Sequence, residues 1–201
     1  VDEYSMRVEM QVERMAGGLP RNPDVLEDFA KAKVGAEAGT KLAKKLQEEV
    51  PETPTTEEQE IKRMWNGFKE DGNGCYIEPR NVKAMIRDVI RGHKLTAQLK
   101  GALSQVKHNL RIEPDRIYVG KKPSRFEDRA IHVITPMGER HSLKRTDIID
   151  NAKVCFTLTT TNKALHELIP TIFELAKKYE GLGADVSQGF GRIIALSLDE
   201  P

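Results

Sequence analysis

Arg80, Lys83, Arg87 and Arg91 recur at intervals of three and four through "YIEPRNVKAMIRDVIR" (76–91). On a helix that spacing gathers the cations on a broad face opposite Val82, Met85 and Val89. Such a face does electrostatic chemistry: fixed positive charge that grips phosphates and transfers nothing to them. Pro79 opens the stretch, and a helix start supplies free N–H groups and a positive dipole end, which also suit an anion. The same letters describe an ordinary amphipathic helix with a solvated charged side.

A second stretch, "GADVSQGFGRI" (183–193), places Gln188, Gly189, Phe190, Gly191 and Arg192 between a helical pattern and a strand pattern. Gly189 and Gly191 permit positive φ and close backbone approach, so amides here can point at phosphate oxygens. Arg192 can add a forked contact, and Phe190 either stacks on a base or packs inward. A tight turn into an antiparallel strand needs the same residues.

Turnover finds less support. His93, His108, His132, His141 and His166 are candidate general acids or bases by type but fall in no recognisable pattern. Asp24 and Asp28 read as first-turn helix carboxylates. His-x-Glu, paired Cys-x-x-Cys and Walker patterns are absent, so no catalytic residue, metal ligand or cofactor is assigned. Cys75 and Cys155 lie far apart without metal-ligand spacing, which fits a reducing cytoplasm.

The elements around these stretches follow from periodicity. "SMRVEMQVER" alternates Met6, Val8, Met10 and Val12 with polar residues, a half-buried strand. After "GGLPRNP", an alanine- and lysine-rich helix is expected over 24–49. A second helix, capped by Thr56 with Gln59, is expected to run to about Lys69 and bury Ile61, Met64 or Trp65, and Phe68. A short strand covers Cys75 to Ile77, a helix Arg80 to Arg91 with Gly92 as its stop, and a further helix carries Leu95, Leu99, Leu103 and Val106. "RIYVG", "AIHVIT" and "RHSL" read as strands, the last two joined by "TPMGE". "AKVCFTLTT" is a strand and "NKALHELIPTIFELAKKYEG" a helix with Leu165, Leu168, Ile169, Ile172, Phe173, Ala176 and Tyr179 on one face. Pro170 implies a kink or a later start, and "RIIALSL" closes the chain as a strand. Strand–helix–strand at the C-terminal end, with a strand and then helices at the N-terminal end, predicts a ferredoxin-like α+β sheet with insertions.

The 201 residues are 38% hydrophobic and 31% charged, which fits one soluble domain with insertions at 24–70 (helical) and 112–150 (strand-rich). No apolar run approaches a membrane span, and residues 1–16 lack a signal-peptide core. The net charge of +1 conceals an asymmetry: residues 80–145 carry 16 Lys/Arg against 6 Asp/Glu. That segment is either a polyanion-facing surface or a solvated face offset by the acidic remainder.

Taken together, the two stretches resemble a known family. "YIEPRNVKAMIR" resembles the tyrosine–isoleucine–proline and lysine-bearing helix motif of the RAMP superfamily of CRISPR-associated proteins, and "GLGADVSQGFGRI" resembles its C-terminal glycine-rich loop. Both occur in the expected order. Glu78-Pro79-Arg80-Asn81 stands where that family usually has Pro-Gly-Ser-Ser, Ala84 replaces a glycine, and Ala184 and Asp185 stand where basic residues are common. The resemblance implies a ferredoxin-like (RNA-recognition-motif-like) core that binds single-stranded guide RNA. It implies partners as well: copies of itself and other effector-complex subunits, assembled head to tail. Arg80, Lys83, Arg87, Gln188, Gly189, Phe190, Gly191 and Arg192 would be the RNA-binding residues. The alternatives are an endoribonuclease of the same fold and a protein-interaction module that keeps the fold without RNA.

Overall fold

The computed structural model describes residues 2–21, 65–135 and 138–200. The helices expected between 24 and 64, with Asp24, Asp28 and the Thr56–Gln59 cap, lie outside these residues. The chain divides into two compact units. One comprises Val1–Met15, Tyr76–Lys121 and Ile149–Pro201, the other Ala16–Cys75 and Lys122–Ile148.

In the first unit β1 (Tyr4–Ala16) follows the predicted alternation: Met6, Val8, Met10 and Val12 are buried while Arg7, Glu9 and Glu13 are exposed. The unit also contains α1 (Pro79–Gly92), α2 (Ala102–His108), β6 (Leu110–Glu113), β7 (Ile117–Gly120), the second half of β9 (Gly138–Thr160), α3 (Lys163–Tyr179) and β10 (Ile193–Asp199). The strand order is β10–β1–β9, with β6 paired to β9 on its far side. β1 is antiparallel to β10, and β6 is antiparallel to β9. Side-chain contacts Ser5–Thr159, Glu9–Cys155 and Gln11–Asn151 descend along β9 as they ascend along β1, so that pair is antiparallel too. Two interleaved β–α–β halves in this order make the ferredoxin-like arrangement the sequence predicted.

The helices cover one face of this sheet. α1 buries Val82, Met85, Ile86, Val89 and Ile90; α3 buries Leu165, Leu168, Ile169, Ile172, Phe173 and Ala176. Phe156 of β9 meets Phe173 of α3 at a ring-centroid distance of 6.2 Å. Asn162 caps α3 by accepting from the Leu165 N–H at 3.0 Å, so the helix begins at Lys163 and holds Pro170 within it. Tyr179 leaves the apolar face the periodicity gave it, being 58% exposed in the last turn.

The single helix expected to carry Leu95 to Val106 is two pieces, a 3-10 turn at Leu95–Ala97 and then α2. Lys94 (φ 55°) and Gly101 (φ 72°) adopt left-handed backbone that no helix continues through, whatever the apolar spacing across them.

In the second unit β2 (Leu19–Pro20) pairs antiparallel with β3 (Trp65–Gly67), and β3 runs parallel to β9. β8 (Arg125–Thr135) and β9 form a long hairpin from Arg125↔Ile148 to Thr135↔Gly138. Trp65 to Asp71 is thus strand, β3 followed by β4 (Lys69–Asp71), and not the end of a helix. Trp65 and Phe68 are three apart and imitate a helical stripe, but tertiary contacts decide otherwise. The Trp65 indole N–H donates to Asp147 Oδ1 at 2.8 Å, and the guanidinium groups of Arg21 and Arg145 lie 5.2 and 5.4 Å from its ring centroid. Arg145 also forks onto Asp128, whose carboxyl it holds below the usual carboxylate range. β5 (Gly74–Ile77) then leads into α1.

Candidate nucleic-acid interface

α1 places its predicted cations unequally. Arg80 is exposed and ion-paired at 2.5 Å with Glu78, the residue that caps the helix. The Glu78 N–H donates to Asn81 Oδ1 at 3.0 Å, and the Asn81 N–H donates to the Glu78 carbonyl at 2.9 Å. The helix start is therefore closed by its own residues, and Glu78 supplies the negative charge a bare end would attract. The expectation of phosphate on the first-turn amides shifts to the turns that follow.

There the charge is less neutralised. Lys83 and Arg87, one turn apart, are both partly buried. Burial, and then the Arg87 charge, push the Lys83 ammonium below its usual pKa. Arg87 Nε is buried without a hydrogen-bond partner. The nearest acid in sequence, Asp88, pairs with Arg91 at 3.8 Å instead. Two partly desolvated like charges, one with a buried donor unmet, create a local demand for an anion.

The glycine loop is built differently from its sequence reading. Gly189 (φ 86°) and Gly191 (φ 76°) do adopt left-handed backbone. However, the Gly191 N–H donates to the Arg14 carbonyl at 2.7 Å, Gly189 N–H to Val186 at 2.9 Å and Gln188 N–H to Asp185 at 2.9 Å. A Cβ on Gly191 would lie 2.5 Å from the Leu182 carbonyl oxygen, so this glycine permits a backbone crossing. Phe190 is 2% exposed, with the Arg14 guanidinium 5.3 Å from its ring centroid. Of its two readings, the ring takes the inward one. What the loop offers outward is side chains: Gln188 is exposed, and Arg192 is exposed with its guanidinium 3.9 Å from the Glu13 carboxylate. Arg14, half-buried on β1, donates to the Gly189 carbonyl at 3.4 Å and had no signal in the sequence beyond its charge.

The two motifs meet through the far end of α1. The His93 ring, just past α1, packs against Tyr179 at 5.2 Å, and a Cβ at Gly92 would lie 3.4 Å from Glu180 Oε1. Glu180 opens the connection that becomes the glycine loop. Arg80 lies about 18 Å further along the helix axis from Gly92, at the opposite end of α1 from these contacts.

The sheet's open face presents Arg7 and Glu9 as an ion pair at 2.6 Å, together with Gln11, Lys153 and Cys155. Among its described residues this face carries no aromatic, unlike the base-stacking sheets of recognition domains. His166 contacts the Ser5 carbonyl and the Tyr4 ring. Among the described residues no cluster of three or more His, Cys, Asp or Glu could hold a metal ion. No described helix is long and apolar enough to cross a membrane.

No family model and no curated protein matches this chain. Among solved structures it is similar to a chain of a Type III-B Cmr-beta complex bound to cognate target RNA, at 14% identity and a TM-score of 0.49. The match covers 98% of this chain and 61% of that one, so the present chain spans about three fifths of its neighbour's length.

Proposed function

We propose that this protein binds single-stranded guide RNA as a backbone-type subunit of a CRISPR-like effector complex, chiefly through α1. The observation that carries the reading is the Lys83–Arg87 pair: partly buried, mutually repelling and with a buried guanidinium donor unmet. Such a pair costs stability in the free protein, and a phosphate beside it would offset the repulsion between its two cations. The resemblance of 76–87 to the family's helix motif and the ferredoxin-like order of the first unit support the same ligand. Basic side chains would grip the backbone, with Gln188 and Arg192 from the glycine loop as outlying contacts, and leave bases free to pair. The action proposed is binding; the His93 ring packs on Tyr179, and His166 on the Ser5 carbonyl and the Tyr4 ring.

Assembly follows from the same reading. Copies of the chain would add head to tail along the RNA, with other effector subunits completing the complex. Light scattering of the protein on single-stranded RNAs of increasing length tests this. The number of copies should rise in steps with length; one copy at every length would reject the backbone role. Intact RNA after incubation, with and without chelator, is expected; cleavage would transfer the reading to the endoribonuclease.

A further inference from the structure

Outside α1 and the glycine loop, the first unit holds one more surface whose chemistry suits a nucleic acid. Arg116, just before β7, and Tyr118 within it are both exposed, while Ile117 and Val119 are buried. Both meet Tyr76. The Tyr118 ring packs edge-on against it, centroids 6.0 Å apart and planes at 65°, and the Arg116 guanidinium lies 5.2 Å from its centroid. Tyr76 is itself only 3% exposed, so it forms a fixed wall. Tyr118 is 37% exposed, one of four large hydrophobic residues so exposed among those described.

This places a held aromatic ring and a cation beside the residue that precedes α1. Tyr76 stands three residues before Pro79, a chain distance of at most about 11 Å. The surrounding sequence is the strongly basic one, and Lys121 follows at once, exposed. An edge-on aromatic neighbour fixes a ring's orientation, which lowers the ordering cost when a flat ligand stacks on it. Charge complementarity points to a polyanion with flat rings.

We propose that Tyr118 is a base-stacking position for single-stranded RNA, with Arg116 beside it, on the approach to α1. The inference rests on the RNA reading above and extends it, since stacking on an aromatic face accepts any base. It supplies the aromatic contact that the buried Phe190 does not.

Affinity for an unstructured oligoadenylate across a salt series tests it, alongside the same backbone carrying abasic sites. Tyr118→Ala should bind the oligoadenylate about 5- to 150-fold more weakly, the fold-change expected when one base no longer stacks, with an unchanged salt slope. Tyr118→Phe should bind like the parent, and abasic RNA should not distinguish parent from Tyr118→Ala. Parent-like oligoadenylate binding by Tyr118→Ala, folded by thermal melt, overturns the stacking position and leaves the RNA reading standing. So does an equal loss on abasic RNA, which would make Tyr118 merely a packing residue. A parent protein that binds neither RNA overturns both proposals together.

Discussion

Lys83 and Arg87 stand one helical turn apart on α1, both partly buried, and Arg87 Nε finds no hydrogen-bond partner. Like charges at this spacing oppose the helix by about 0.2–0.5 kcal/mol, and partial burial adds to the cost. A site that binds an anion is expected to carry such a penalty when empty.

Lys83→Met should therefore stabilise the free protein, by about 0.5 kcal/mol, while weakening its hold on RNA. Urea melts of parent and variant read the first effect. The Lys83 pKa lies below its ordinary 10.5, so between the folded and unfolded values the unfolded chain binds more protons. Parent stability then rises with pH in that window, and the advantage of Lys83→Met should narrow as pH climbs toward 10.5. A variant less stable than the parent at neutral pH would mean that Lys83 serves packing alone.

The two glycines should separate. Gly191→Ala meets the Leu182 backbone at 2.5 Å and a φ of 76°, and should cost about 2 kcal/mol or more. Gly189→Ala has the same backbone hand but open space around it, and should cost about 1 kcal/mol. Equal losses by denaturant melt would show that the crossing of the Gly191 and Leu182 segments is not what the glycine serves.

Much of the fold was legible in the sequence, because β1 and the two long helices declare themselves by period. Met6 to Val12 alternates, and Val82, Met85, Ile86, Val89 and Ile90 form a stripe, so local pattern and burial coincide. The misreadings arose where partners are distant. Trp65 is strand because Asp147 and β9 hold it, and Gly101 breaks a stripe that apolar spacing alone continues. Charge spacing put Lys83 and Arg87 on one side of α1, where both are partly buried, but nothing near Gly191 in the sequence reveals that Arg14 takes its amide or that Phe190 turns inward.

The cysteines give a check on each unit, Cys155 on the first and Cys75 on the second. Cys75 is fully buried, and burial, reinforced by Glu70, pushes its thiol up to about 12; Cys155 is exposed. A thiol reagent near pH 8 should modify Cys155 quickly and Cys75 only on unfolding. Because the folded Cys75 pKa is raised above the unfolded 9.0, its contribution is complete below pH 9 and is lost as pH rises toward about 12. The parent should lose stability over that range relative to Cys75→Ala. Two equally fast thiols in folded protein would contradict the burial.

The most direct test of the central claim is the salt dependence of RNA affinity for Lys83→Ala/Arg87→Ala beside the parent. If both side chains grip phosphates, the double variant should bind unrelated single-stranded RNAs more weakly. Its log–log salt slope should also be shallower by about 1.4, roughly 0.7 for each phosphate no longer neutralised. A folded double variant with the parent's affinity and the parent's slope would contradict the account.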